Sequence, residues 1–385
     1  MEKILIIHNQ YRLTGGEDIA VSNEINILKK HFDIKVLNFE NKITNYIFQS
    51  FYFLTNKNYE SIKKIKKEIK TFNPDVVYIH NTWFKVSPGI FQEISKTGKP
   101  IILKIHNYRF NCTRNIFAYK HFNKKDFCKG CGYKRTDMGI FNKYFLNSYT
   151  QSLLVIIYGI KFFKILQSTK LKILTLTNFQ KNYLIDIGIS EDKIFVHRNI
   201  LNEQDQILKS TTLHHNYIVY AGRISKEKGV EQLINAYQQS NLNEHLDFKI
   251  IGDGPQLKKL REKFSSHNIK FLGQLSNEKT KEIISNSKAV VTATNLYEGQ
   301  PTLLCEASVM SIPSVFPINE GISEFFPKNY ELTFDLQNEM SIVTTLNKLI
   351  QKNLIEIGQK NQDFIYKLTN EDVYIKNFRN IIKSH

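Results

Sequence analysis

One local alternation runs through the chain twice: a short run of β-branched and aliphatic residues, a polar or Gly-containing turn, then a stretch with apolar residues at helical spacing. Runs of this kind suit strands covered on both faces, and the helices between them supply the cover. The pattern confines the chain to layered α/β folds. In the first series, strands are expected at Lys3–His8, Asp33–Phe39, Asp75–His80, Pro100–His106, Ile173–Thr177 and Ile194–Val196, with a helix over Asp18–Lys30. The second series has strands at Tyr217–Ala221, Phe248–Ile251, Ile269–Leu272, Ala289–Thr292 and Ser314–Phe316. Its helices are expected at Val230–Gln239, Gln256–Phe264, Leu303–Val309 and Ser341–Gln351. Leu201–Asn216 is polar and aperiodic and reads as a linker. A chain of 385 residues is ample for two cores. The expected division is 1–205, 206–365 and a closing helical segment 366–385, with its return to the first domain left open.

Three short constellations in the second series carry chemistry. Gly222-Arg223 is followed by Lys228-Gly229 between a strand and a helix. In an open α/β sheet, ligands gather at the carboxyl ends of strands, and a helix amino terminus there favours anions. Arg223 offers a planar fork and Lys228 a compact charge, a pair suited to a pyrophosphate. Gly252-Asp253-Gly254-Pro255 forms a second strand-to-helix turn, where Gly252 and Gly254 allow close backbone approach and Asp253 reads as structural. Glu298 and Glu306 are separated by seven residues, the first in a Gly/Pro loop and the second near a helix start. A carboxylate is a natural bidentate acceptor for a vicinal diol, whether on ribose or on a sugar. The backbone amides of Gly299, Gln300, Thr302 and Leu303, around Pro301, lie at the helix mouth and can meet a diphosphate.

Together these residues resemble the family-4 retaining glycosyltransferases, glycosyl transferases group 1. Glu298 to Glu306 matches that family's Glu-x7-Glu element, Gly222-Arg223 through Lys228-Gly229 its Gly-Arg-x4-Lys-Gly element, and Gly252–Pro255 its Gly-x-Gly-Pro turn. Ser311 departs from the pattern, standing where relatives commonly carry Gly. The resemblance implies the GT-B architecture, two Rossmann-like domains facing across a cleft, with an acceptor-binding first domain and a nucleotide-sugar-binding second. It implies Arg223 and Lys228 on the donor diphosphate, Glu306 on ribose and Glu298 on the transferred sugar. It further implies Gly15 and Gly16 near the donor phosphates, and His106 as a catalytic contact to that sugar. His80, ending the neighbouring strand, is a second cleft candidate. The implied chemistry is retaining transfer from a UDP- or GDP-sugar to a glycan or lipid-linked acceptor, in surface polysaccharide or lipopolysaccharide synthesis. No catalytic metal is implied, because two cations stand in its place.

Cys112, Cys128 and Cys131, with His121 between them, present a Cys-x2-Cys pair in an insertion of the first domain. Structural zinc and free thiols both fit that spacing. Cys305 reads as packing. The net charge of +17 favours an anionic surface or polyanion. Tyr46–Lys70 and Asn142–Leu166 join aromatics to lysines and are the candidate membrane-facing segments, with ordinary amphipathic helices as the alternative. The apolar stretch Ser152–Ile160 reads as too short to span a bilayer. No secretory leader is expected, and four cysteines point to a reducing compartment. The expected location is therefore cytoplasmic, with peripheral attachment to the inner membrane face. A nucleotide-sugar epimerase on the same scaffold is the alternative enzyme. A non-enzymatic polyanion binder ranks third, since no zinc finger, helix-turn-helix or stacking motif supports nucleic acid as a partner.

Overall fold

A computed structural model describes residues 1–10, 16–41, 45–108, 145, 147–201 and 216–384. Gly15 and the cysteine-histidine set Cys112, His121, Cys128 and Cys131 lie outside the described residues, as does most of the expected linker. The chain forms two compact units, Met1–Ile200 with Glu371–His385, and Leu201–Asn370.

The first unit is built on β1 (Lys3–Gln10), β2 (Asp33–Glu40), β3 (Val76–Ile79), β4 (Ile101–Lys104), β5 (Lys172–Thr175) and β6 (Ile194–Val196). Their order is β2-β1-β3-β4-β5-β6, and every pair is parallel. Ile4, Leu5, Ile6 and Ile7 are all fully buried, as a strand covered on both faces requires. The helix Gly16–His31 covers one face through Ala20, Val21, Ile27 and Leu28. The helix Tyr59–Phe72 buries Ile62, Ile65 and Ile69. Asn58 caps it, its side chain accepting from the Ser61 amide, and Asn73 ends it in the left-handed region. Its lysines Lys63, Lys64, Lys66, Lys67 and Lys70 lie on the exposed face of this amphipathic helix. The terminal helix Glu371–Lys383 packs into this unit's core, with Tyr374, Ile375, Phe378 and Ile381 buried among Ile4, Ile6 and Tyr78. The expected closing segment divides: 366–370 finish the second unit, and the return begins at Glu371.

Tyr149–Ser168 is a single helix of 20 residues, longer than the apolar stretch visible in sequence and long enough to cross a membrane. The length argument made from Ser152–Ile160 therefore fails. One side of the helix is packed inside the unit through Val155, Tyr158, Phe162 and Phe163. Phe162 and Phe163, two of the aromatics in the candidate segment Asn142–Leu166, are thus core residues.

The second unit holds β7 (Tyr217–Ala221), β8 (Asp247–Ile251), β9 (Ile269–Gly273), β10 (Ala289–Val291), β11 (Ser314–Pro317) and β12 (Thr333–Phe334). All are parallel, in the order β12-β11-β10-β7-β8-β9. The direction of winding reverses between β7 and β10, which makes the gap beyond their carboxyl ends the topological switch point of the sheet. Three helices here escaped the periodicity argument, one of them the single turn Glu320–Ser323. Asn277–Ser285 shows few apolar residues, and Leu354–Leu368 turns Gly358, Asn361 and Gln362 inward. Gln362 donates to the Val309 carbonyl at 2.6 Å and Asn361 to the Tyr330 hydroxyl at 3.2 Å, so the amide nitrogens of this polar stripe find acceptors inside.

Candidate functional site

The second unit's site grows from two backbone loops pressed together at the ends of β7 and β8. The Gly222 amide donates to the Ile251 carbonyl at 3.0 Å, and the Ile224 amide to the Asp253 carbonyl at 2.9 Å. A Cβ on Gly252 would lie 1.9 Å from the Gly222 carbonyl oxygen, and one on Gly254 2.3 Å from that of Ile224. No side chain fits at either position, so these glycines are the condition for the loops to touch. The Asp253 carboxylate accepts from the Gly254 amide at 2.6 Å, a structural role.

Beyond the loop, Lys226–Lys228 makes one tight turn and Gly229, at φ 66°, redirects the chain into the helix Val230–Gln239. A Cβ on Gly229 would meet the Ala293 carbonyl oxygen at 2.1 Å. That contact draws the β7 loop to the segment following β10, and the Asn295 amide seals it on the Glu227 carbonyl at 2.9 Å. Lys228 and Glu298 consequently meet, Nζ to Oε1, at 2.5 Å, and the Thr294 hydroxyl donates to the same oxygen at 3.1 Å. Tyr220 lies beneath; burial first, then the carboxylates of Glu298 and Glu227, push its hydroxyl pKa up. Its hydroxyl donates to the Arg223 carbonyl at 2.9 Å, while the Arg223 side chain is exposed.

Gly299, Gln300 and Pro301 are buried and lead into the helix Thr302–Val309, whose amino end has no side-chain cap. Its first-turn amides, Thr302 and Leu303 among them, are those a helix leaves without internal acceptors. Glu306 lies on this helix, 3.5 Å from the ammonium of Lys281, and both side chains are about nine-tenths buried. Lys281 was not legible in sequence: it sits in a polar helix that gives no periodic signal. Ser311 adopts φ 60° just past the helix, the left-handed conformation for which glycine is usual. The departure from the family pattern is accommodated there, and Cys305 is packed in the core.

The first unit gathers histidines at the carboxyl ends of β1, β3 and β4. His80 Nδ1 and His106 Nε2 lie 3.1 Å apart, with their rings stacked. His8 binds the Asp18 carboxylate at 2.9 Å, edge-on to His80. Burial first, then neighbouring positive charge, holds both His80 and His106 well below the ordinary imidazole range. Both rings are therefore neutral at neutral pH, and one donates to the other. Gly16 begins the first helix of this unit. A small cavity beside His106 is walled by Asn81, Trp83, Tyr158 and Phe162. Behind it lies an ion pair the sequence reading missed. Glu24 and Lys104 meet at 2.8 Å with both side chains fully buried. Tyr78 donates to Glu24 at 2.6 Å and Tyr374 donates to the same oxygen. The signal was present: Glu24 occupies the apolar face of its helix, and Lys104 ends an otherwise aliphatic strand.

Residues 203–370 match the family described as glycosyl transferases group 1. The second unit is similar to that family over nearly its whole length. Its loops carry the Gly-Arg-x4-Lys-Gly, Gly-x-Gly-Pro and Glu-x7-Glu elements by which the resemblance was recognised. The amylovoran biosynthesis glycosyltransferase AmsD of Erwinia amylovora is 26% identical over 213 residues, which cover 49% of this chain and 57% of AmsD. The chain thus spans little more than half the length of that relative. The structure of HepE from Anabaena, in complex with UDP and glucose, is similar over 100% of both chains at a TM-score of 0.67 and 13% identity. That of the lipopolysaccharide outer core galactosyltransferase WaaB covers 99% of each chain at a TM-score of 0.62 and 17% identity. At these identities the likeness is one of fold: two parallel α/β units in one chain, the GT-B fold of group 1 glycosyltransferases.

Proposed function

We propose that this protein transfers a sugar, with retention of anomeric configuration, from a nucleoside diphosphate sugar to a glycan or lipid-linked acceptor in surface polysaccharide or lipopolysaccharide synthesis. The observation that carries the reading is the meeting of Lys228 and Glu298 at the switch point of the second sheet. A lysine has three N–H donors, so Lys228 can stay on Glu298 while reaching a diphosphate oxygen. Glu298 would then orient the sugar and hold the cation that stabilises the departing nucleotide. The exposed Arg223 guanidinium and the uncapped amides at Thr302 would complete the anion site. Glu306, steadied by Lys281, would take the ribose diol. In the first unit, neutral His106 would act as a hydrogen-bonding partner of the sugar rather than as a charge. That both HepE and the galactosyltransferase WaaB share this fold supports the class of donor and acceptor, and AmsD supports a biosynthetic setting.

A thermal-shift panel of UDP-, GDP-, ADP- and dTDP-sugars identifies the donor, and proton NMR of the product reads the anomeric configuration. Release of free nucleotide only in the presence of acceptor is the expected result. Conversion of the sugar nucleotide without acceptor would establish the epimerase instead. Glu306→Gln should weaken UDP binding by about 1.5–3 kcal/mol, the scale of a charged hydrogen bond. Unchanged affinity by calorimetry would remove Glu306 from the nucleotide site.

A further inference from the structure

Two helices of the first unit lie against each other and leave a greasy face uncovered. In the helix Tyr46–Thr55, Phe48, Phe51 and Leu54 recur every third residue. In the helix Tyr149–Ser168, Tyr149, Leu153 and Ile160 fall on the side opposite its buried residues. These six side chains are between 38% and 59% exposed. The Lys161 ammonium donates to the Leu54 carbonyl, tying the two helices together. Lys164 is exposed one turn beyond Ile160.

The charge of this face is one-sided. Neither helix contains an Asp or Glu in its 10 or 20 residues, although the chain carries 36 acids. Exposed aromatics and aliphatics on helices whose only charged residues are Lys161 and Lys164 match the polar-apolar boundary of an anionic bilayer, with Glu60 the one nearby carboxylate that acts on Tyr52. A second copy of the chain fits less well. Two-fold pairing through this face would bring the lysines of each copy towards a surface with no carboxylate on either helix. We propose that the helices Tyr46–Thr55 and Tyr149–Ser168 form a docking surface for anionic membrane lipid, lying in the headgroup plane rather than crossing it. The helix that offers Leu153 and Ile160 outward places Tyr158 and Phe162 in the wall of the His106 cavity. Lipid contact and the histidine cluster therefore share one rigid element. The inference does not depend on sugar transfer, because vesicle binding is read without turnover.

The test is co-sedimentation of the full chain with phosphatidylglycerol-containing vesicles and with phosphatidylcholine vesicles, alongside light scattering for mass. The expected result is a monomer that pellets with the anionic vesicles and is released by salt. Phe48→Ser with Phe51→Ser should lower the partition coefficient about tenfold or more, and Lys164→Glu by about tenfold, since each positive charge near such a surface contributes on the order of a fivefold effect. All three positions are exposed, and an unchanged Trp83 emission spectrum confirms that the variants fold. Equal binding to both vesicle types, or full binding by the double variant, overturns the proposal. So does a dimeric parent that becomes monomeric on Phe48→Ser with Phe51→Ser.

Discussion

Lys104→Met probes the buried pair behind the histidine cluster. In the parent, burial pushes the Glu24 carboxyl up, but Lys104 and the hydroxyl donors outweigh it and leave the pKa lowered. Lys104 supplies the partner of one carboxylate oxygen at 2.8 Å, while Tyr78 and Tyr374 both donate to the other. Removing the ammonium strands a charge that has no access to water, a change that costs about 3–5 kcal/mol. The chain's only tryptophan, Trp83, is buried in the same unit, so its fluorescence reports that unit selectively. With a urea slope near 3 kcal/mol per molar, the midpoint of the Trp83 transition should fall by roughly 1–1.7 M. Adding Glu24→Gln removes the stranded charge and keeps a carbonyl for both tyrosines, so it should recover about 1–2 kcal/mol, leaving one unpaired amide. The pH dependence has a definite sign. In the parent, the lowered Glu24 contributes stability that is present above the ordinary carboxylate range and lost in acid. In Lys104→Met, burial outweighs the hydroxyl donors that remain and raises Glu24, so folding takes up a proton and the gap to the parent narrows as pH falls from 7 towards 5. A fall in midpoint of less than 0.3 M (about 1 kcal/mol), or a Glu24→Gln change that adds to the loss, would refute the reasoning.

His197 lies between Tyr374 and Phe378, and burial followed by the Lys104 charge holds its pKa down to about 3. Its contribution is complete above the unfolded value near 6.5 and is lost as pH falls towards 3, at up to about 1.4 kcal/mol per pH unit. His197→Phe should therefore flatten the decline of the Trp83 midpoint between pH 7 and 5; an unaltered slope would count against it. Gly252→Ala forces a methyl to 1.9 Å from the Gly222 carbonyl oxygen at φ 132°, so the thermal shift induced by UDP should vanish. The Trp83 urea transition belongs to the other unit and should not move; a shift there would mean the damage is not local. Lys281→Met should raise the Kd for UDP about fivefold, or ~1 kcal/mol, by freeing the Glu306 carboxylate. Undiminished affinity, measured by calorimetry, would show that Lys281 only fills space.

The strand skeleton was legible because it rests on local pattern. Ile194–Val196, Tyr217–Ala221 and Val230–Gln239 have the boundaries read from sequence, and most other elements shift by one to three residues at their ends. The glycines of the second unit were legible as close-approach positions, though which carbonyls they face depends on pairing between β7 and β8. Polar packing was not legible. Gln362 and Asn361 face inward and interrupt the apolar stripe of Leu354, Ile357, Ile365 and Leu368, and Lys281 finds Glu306 from a helix with few apolar residues. The aromatic segments were misjudged where burial depends on a distant partner: Phe162 stacks on Phe91 and turns inward, while Phe48 and Phe51 find no such cover.

The hydroxyl of Tyr374 reaches a carboxylate that left the ribosome some 350 positions earlier. The first six strands thus wait, during synthesis, for the last thirteen-residue helix to emerge before their sheet is sealed. In effect the second unit is an insertion within the first, and a fragment ending at residue 200 would expose the groove that Phe378 fills. A circular permutant that links residue 385 to residue 1 through a short spacer, and opens the chain near 201, would make the early half self-sufficient.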